Sequence, residues 1–197
     1  MPLGNRAEDF GVALAALELG HSLADQAAYD RFAASRSAGW MREFHERFYR
    51  LRAAFRSAAP DDWLRLIGPY PPFLEVLRRR AGDVRLAIAT AKDRESVRLL
   101  LRSYGVEDLF PDELVLDKEV GVSKSEHLTR LRERVGCAFD EITFVDDKVN
   151  HLDVAARLGV RCALAGWGFN GEREVALATR AGYLVCTLAD VEARLFD

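Results

Sequence analysis

Thr90, Lys124, Asp146 and Asp147 stand where short apolar runs stop or helical segments start, and their types suit phosphoryl chemistry. Asp146 and Asp147 follow the run Ile142-Thr143-Phe144-Val145. Two adjacent carboxylates repel, and burying them at a strand end is costly unless a cation or a set of donors offsets the charge. Hard divalent ions such as Mg2+ take oxygen ligands of this kind. The plainer reading has one aspartate capping the next helix and the other solvated. Thr90 closes the run Val84-Arg85-Leu86-Ala87-Ile88-Ala89. Its hydroxyl can donate to a phosphoryl oxygen at the mouth of a sheet, although threonine is common in strands on other grounds. Lys124 follows Ser123 at the start of a helical segment. A cation there opposes the helix dipole by a few tenths of a kcal/mol unless an anion is held nearby. A lysine pointing into solvent is the alternative, and Lys118 is a second candidate for the same role.

These residues need elements to carry them. From about residue 70 the chain alternates strand and helix patterns: strands over 84–90, 114–116, 142–145, 162–165 and 183–186, helices over 93–104, 123–136, 150–158 and 172–181. Gly105, Gly136 and Gly159 stand where helices stop. Ser123-Lys124-Ser125-Glu126 has the form of a capping box. Alternation of this kind implies an α/β fold, a mostly parallel sheet with helices on both faces. Ligands of such sheets sit beyond the carboxyl ends of the strands, which is where the four residues fall.

Before residue 70 the pattern is helical and aromatic. Trp40, Phe44, Phe48, Leu51 and Phe55 form one helical stripe, read here as a packing face rather than a ligand pocket. Phe10, Leu14 and Leu17 suggest a first helix, 23–34 a second, and Pro60-Asp61-Asp62 opens a short one containing Trp63 and Leu66. The organisation expected is a helical region over 1–68 and an α/β core over 69–197.

Composition narrows the function. The 197 residues are 49% hydrophobic and 30% charged, enough for one domain with a small appendage and wrong for a disordered chain. The net charge of -3, with arginines scattered among acids, argues against a nucleic-acid partner. Arg78-Arg79-Arg80, the one basic cluster, reads as a solvated helix end. Cys137, Cys162 and Cys186 are far apart and odd in number, which argues for a reducing compartment and against a disulfide framework or thiolate zinc site. No run approaches the ~18 apolar residues of a membrane helix, and residues 1–6 show no leader pattern. A cytoplasmic protein with no membrane partner is expected.

In their order along the chain, Thr90, Lys124 and Asp146-Asp147 resemble the second, third and fourth motifs of the haloacid dehalogenase superfamily, in its phosphoglycolate-phosphatase-like branch. Pro71-Pro72-Phe73-Leu74-Glu75-Val76-Leu77 is similar to the family's lead-in helix, with Pro72 where glycine is usual. Ala89-Thr90-Ala91-Lys92 resembles its Thr-Asn-Lys, and Ala155-Ala156-Arg157-Leu158-Gly159-Val160 its Ala-Ala-Arg helix. Trp167-Gly168-Phe169, Gly182-Tyr183 and Leu188-Ala189-Asp190 match the tail. The resemblance spans residues 70–195 and implies a Rossmann-like core, with 1–68 as the helical cap. It implies that Thr90, Ala91 and Lys124 hold the phosphoryl group. Asp147 would ligate Mg2+ with Asp146 in support as a catalytic residue, and the two could exchange roles. About four positions after the metal ligand the family carries a further acidic residue. That position is His151 here, with Asn150 and Asp153 nearby.

The front of the chain departs from the family. Its first motif, a buried strand ending Asp-x-Asp, supplies the nucleophile and the general acid-base. Glu8-Asp9-Phe10-Gly11-Val12 is no match for it. That strand belongs mid-sheet, between the strands ending at Thr90 and Asp146, and without it two interior edges stay unpaired. The favoured expectation is that the true protein starts upstream. A segment from a partner chain, or a degenerate non-catalytic member, are the alternatives. The expected function is Mg2+-dependent hydrolysis of a small phosphorylated metabolite, with the chain as given nearly inactive. A non-catalytic phosphate-binding or regulatory protein is the second reading. A dehalogenase or mutase, and a homo-oligomer, are left open. A receiver-like signalling domain is disfavoured because its acidic pair comes first along the chain.

Overall fold

The computed structural model describes residues 7–121 and 123–196, so the leader reading of residues 1–6 lies outside the described residues. The chain divides into two compact units, one ending at Gly68 and one beginning at Pro69.

The first unit holds α1 (Ala7–Glu18), α2 (Gln26–Ala34), α3 (Ala38–Ala58) and α4 (Pro60–Leu66). Asp25 and Ser37 cap α2 and α3 by accepting the N–H groups of Ala28 and Trp40. Phe10, Leu14 and Leu17 do lie on a helix, but on its open face, 42%, 55% and 76% exposed. The buried face is built from Ala7, Gly11, Val12 and Ala16. Small residues bring α1 close to α3, and a Cβ on Gly11 would sit 2.8 Å from the Phe44 ring. The aromatic stripe packs only at its start. Trp40 and Met41 join Val12, Ala16, Tyr29 and Phe32, whereas Phe48, Leu51 and Phe55 stay more than a third exposed.

The second unit holds α5 (Pro71–Arg80), β1 (Ile88–Ala89), α6 (Arg94–Ser103), β2 (Val115–Leu116), α7 (Lys124–Val135), β3 (Thr143–Asp146), α8 (Val149–Ala156), β4 (Arg161–Ala165), α9 (Glu172–Arg180), β5 (Leu184–Cys186) and α10 (Val191–Phe196). All ladders are parallel. Among the described strands, β1 pairs with β2, and β3-β4-β5 form a separate sheet. Side chains alternate across that second sheet. Phe144, Cys162 and Leu164 pack on Leu128 of α7, Leu152 and Ala155 of α8 and Ala178 of α9. Ala163 and Cys186 face the other way, onto Val76 of α5 and Val191 of α10. Helices therefore cover both faces of a parallel sheet.

Three local expectations are corrected. The strand expected over 84–90 is laddered only at Ile88 and Ala89, because β2, which follows a 3-10 turn at Asp112–Leu114, offers only two residues to pair with. The capping box does not form. The Ser123 hydroxyl meets the Ser125 hydroxyl at 2.7 Å, and Glu126 pairs with Arg130 at 3.0 Å one turn on. The Arg78-Arg79-Arg80 end is not simply solvated, since Arg79 and Arg80 pair with Glu192 and Arg78 donates to the Tyr104 carbonyl. Among the described residues no helix is long and apolar enough to cross a membrane.

Candidate functional site

Asp146 is the last residue of β3, at the carboxyl end that parallel sheets offer to ligands. Its side chain is 11% exposed. Lys124, at the first position of α7, sends its ammonium to the Ala89 carbonyl at 2.6 Å and lies 3.4 Å from Asp146 Oδ2. This one side chain thus joins the ends of β1 and β3, which share no ladder. An ammonium carries three N–H groups. Among the described residues these two partners leave one direction for a further acceptor, while the Phe144 ring lies 5.4 Å from Nζ.

The Asp146 carboxylate is held from several sides. Oδ1 accepts the Lys148 N–H at 2.9 Å, and His151 Nδ1 lies 3.0 Å from Oδ1 and 3.1 Å from Oδ2. Burial works to raise the Asp146 carboxyl. The His151 hydrogen bond and the Lys124 charge outweigh it and hold the group below the usual carboxylate range. The residue is an anion with fixed lone pairs, suited to a cation or a bound donor.

Thr90 continues β1, donating its N–H to the Leu116 carbonyl at 2.9 Å. Its Oγ1 accepts the Lys92 N–H at 3.2 Å, and among the described residues no acceptor takes the hydroxyl proton. Ala91 follows it, exposed in the same bend. Lys118 is exposed and meets this bend only through its backbone, which donates to the Lys92 carbonyl. Of the two lysine candidates the structure brings Lys124 to Asp146.

Asp147 turns another way. Its Oδ2 accepts the Phe169 N–H at 2.7 Å, and its carbonyl accepts from Asn170 Nδ2 at 3.2 Å. Gly168 makes this possible, because a Cβ there would run into the Asp147 Cβ. Asp147 therefore latches the 166–171 loop with one oxygen, and Oδ1 has no partner among the described residues. Of the three candidates for the position after the acidic pair, His151 reaches Asp146. Asp153 accepts the Tyr183 hydroxyl at 2.7 Å, and Asn150 is exposed.

A buried set behind Lys124 escaped the sequence reading. Asp117, fully buried at the end of β2, pairs with Arg94 Nε at 2.5 Å and accepts the Glu119 N–H at 3.0 Å. Burial raises its carboxyl, and these donors bring it below the ordinary range. His127, also fully buried, faces two carbonyls through Nε2, Gly121 at 2.7 Å and Asp117 at 3.2 Å, so Nε2 carries the proton. The set braces the turn that leads into Lys124. A signal was present, since Val115-Leu116-Asp117 repeats the apolar-run-then-carboxylate pattern that singled out Asp146.

As donors to a divalent ion, Asp146 supplies hard oxygens and His151 a nitrogen. Among the described residues no group of three or more His, Cys, Asp or Glu is placed to hold one ion. The pair fits part of a cation site whose other ligands must be water, substrate or a further segment.

The model of the haloacid dehalogenase-like hydrolase family matches residues 6–159. A haloacid dehalogenase-like family hydrolase of Streptococcus pneumoniae superposes with a TM-score of 0.65 at 17% identity, covering 95% of this chain and 91% of that one. A predicted phosphoglycolate phosphatase of Haemophilus somnus gives 0.63 at 19% identity, over 97% of this chain and 78% of its own. At those identities the likeness is one of fold. An uncharacterized 32.4 kDa protein of Enterobacteria phage T4 is 28% identical over 139 residues, 70% of this chain and 47% of that protein. A protein named tyrosine-protein kinase PtkA in Mycobacterium tuberculosis is 28% identical over 93 residues, 46% of this chain and 31% of its own length. The chain spans less than half the length of these curated relatives.

Proposed function

The chain belongs to the haloacid dehalogenase-like hydrolase family, and on that premise we propose that it is the phosphate-binding part of a Mg2+-dependent phosphomonoester hydrolase acting on a small phosphorylated metabolite. The observation that carries this reading is Lys124, half-buried between the Ala89 carbonyl and Asp146, with one N–H direction left over among the described residues. A phosphoryl oxygen in that direction receives a charge-assisted hydrogen bond. The Thr90 hydroxyl and the Ala91 N–H are further donors on the same rim. Asp146 holds the ion through its carboxylate, with Asp147 Oδ1 the nearest further oxygen in sequence. A bound divalent ion supplies charge neutralisation at the phosphoryl oxygens.

The nucleophile lies elsewhere in this reading. Asp146 is engaged by Lys124, His151 and the Lys148 N–H, so it is a holder of charge rather than an attacking group. We place the attacking aspartate on a strand outside the described residues, seated between β1 and β3. The unlinked ladders of those two strands, bridged by the Lys124 side chain, support that placement. The helical unit that ends at Gly68 then serves as the cap that selects substrate. Three free thiols fit a cytoplasmic setting.

The test compares two proteins for Mg2+-dependent release of phosphate from a generic aryl phosphate. The chain as given should stay near background, and a gene product extended upstream to include Asp-x-Asp should turn over. Lys124→Ala should remove that activity. An extended protein that carries Asp-x-Asp and releases no phosphate overturns the catalytic reading. If it still binds phosphate through Thr90 and Lys124, a phosphate-binding regulatory module takes its place.

A further inference from the structure

The start of α7 is not held by its cap residue, since Ser123 makes no side-chain cap bond. His127, one turn into the helix and fully buried, reaches back instead. Its Nε2 donates to the carbonyls of Gly121 at 2.7 Å and Asp117 at 3.2 Å. The Asp117 carbonyl also accepts the N–H groups of Val120 at 3.1 Å and Gly121 at 3.3 Å. The imidazole therefore closes the 117–121 turn at both ends and ties it to the helix that carries Lys124. Its Nδ1 has no partner among the described residues. Burying a polar ring with one nitrogen unpaired costs free energy that an apolar side chain of similar size avoids. His127 is thus poorly suited to packing alone, and its value lies in what Nε2 holds.

The turn it closes faces two ways. On one side the Lys118 N–H donates to the Lys92 carbonyl at 3.2 Å, in the bend that follows Thr90. Arg94, just beyond that bend at the start of α6, pairs with the Asp117 carboxylate and donates to the Val115 carbonyl at 2.9 Å. On the other side His127 lies three residues after Lys124 on α7, and the Lys124 ammonium returns to the Ala89 carbonyl beside Thr90. These contacts form a closed circuit: Thr90 bend, 117–121 turn, His127, Lys124 and back to Ala89. The Thr90 hydroxyl and the Lys124 ammonium are the two side-chain donors assigned to the phosphoryl group. One anion gains most from both when their spacing is fixed before it binds, because ordering them is then no part of the binding cost.

We propose that His127 is a positioning residue for the phosphate site: by closing the 117–121 turn it sets Lys124 against the Thr90 bend, and an anion bound by both donors tightens that turn in return. The inference rests on the phosphate-binding reading of Thr90 and Lys124 and adds the group that fixes their spacing.

The test uses the 197-residue chain, titrated with inorganic phosphate by calorimetry, with urea unfolding run on every variant. His127→Leu removes the donor and keeps the bulk, and should weaken phosphate on the order of tenfold. His127→Gln places an amide N–H near the position of Nε2 and should restore most of the affinity. Val191→Ala, at a fully buried position of α10 on the other face of the sheet, should lower the unfolding midpoint and leave phosphate affinity unchanged. A second readout needs no variant and decides the matter if His127→Leu does not fold. Coupling between two sites is reciprocal, so saturating phosphate should slow the solvent exchange of the His127 Nε2–H and the Lys118 amide, followed by 15N–1H NMR. Wild-type affinity in His127→Leu, an equal loss in His127→Gln or in Val191→Ala, or exchange indifferent to phosphate overturns the inference. If Lys124→Ala weakens phosphate and His127→Leu does not, this inference falls and the phosphate-binding reading stands. If phosphate does not bind the wild-type chain saturably, both fall.

Discussion

The unit ending at Gly68 and the unit beginning at Pro69 bury their apolar residues by different means. In the α/β unit the strand alternation sends Leu164 and Cys162 to one helical layer and Ala163 and Cys186 to the other, each 5% exposed or less. In the helical unit α1 makes its contacts through small residues, and its larger ones, Phe10, Leu14 and Leu17, stay outside. Gly11 meets the Phe44 ring while Leu14 and Leu17 are 55% and 76% exposed. No residue along the whole of α3 is fully buried. The contrast fits a division of labour: a close-packed sheet fixes Lys124 and Asp146, and a loosely covered helical unit keeps apolar surface for something else.

The sharpest way to break this comparison is a pair of truncations. Leu164→Ala opens a cavity at a fully buried site, with an expected loss of about 2–5 kcal/mol. Leu17→Ala removes an exposed side chain and should stay within ~0.5 kcal/mol. Urea unfolding monitored by circular dichroism gives both values. Comparable losses would mean that the open face of α1 is covered in solution and that the contrast is false.

A smaller effect sharpens the comparison inside the α/β unit. At Gly168 a methyl group meets the Asp147 Cβ and, at 3.1 Å, the Ala165 carbonyl. The 166–170 loop must shift, and the Phe169 N–H to Asp147 bond goes with it. Gly168→Ala should cost about 1–3 kcal/mol. Gly171, which has open space around its Cβ position, is the reference, and Gly171→Ala should be neutral within ~0.5 kcal/mol. Equal midpoints for the two variants would show that the latch on Asp147 does not hold the loop.

The contrast also explains what could be read from the sequence. Helices α6 to α9 lie within a residue or two of expectation, because apolar period and a stopping glycine are both local. Gly105 and Gly136, at φ of 65° and 73°, take the left-handed turn expected of them. The strand over 84–90 was overextended because a ladder depends on a partner far along the chain, and β2 supplies only two residues. The helix α1 was legible for the same local reason, but its covered face was not, since helical spacing says that Phe10, Leu14 and Leu17 share a side and not which side is covered. At the site, the order of Thr90, Lys124 and the acidic pair was visible. That Asp146 rather than Asp147 turns to Lys124 was not, because it hangs on Gly168 and the Phe169 N–H, more than twenty residues away. The Asp117, Arg94 and His127 set joins three elements whose meeting no local spacing encodes.

The smallest effect separates the units by pH. Asp146 has its carboxyl held below the ordinary carboxylate range by His151 and Lys124 against the pull of burial. Its stabilisation is present above the unfolded value, near 4, and is lost as pH falls through the lower folded value. Tyr29, in the helical unit, donates its hydroxyl to Asp9 at 2.6 Å. Burial and that carboxylate push its hydroxyl up from the usual 10. Its contribution is complete below pH 10 and is lost as pH rises toward the folded value. Stability measured by chemical denaturation across pH should therefore have an acid limb belonging to the site and an alkaline limb belonging to the helices. Asp146→Asn should flatten the first and leave the second, and Tyr29→Phe should do the reverse. If each variant changed both limbs, the two units would be titrating as one, and the Asp146 carboxylate would owe its state to more than the groups that touch it.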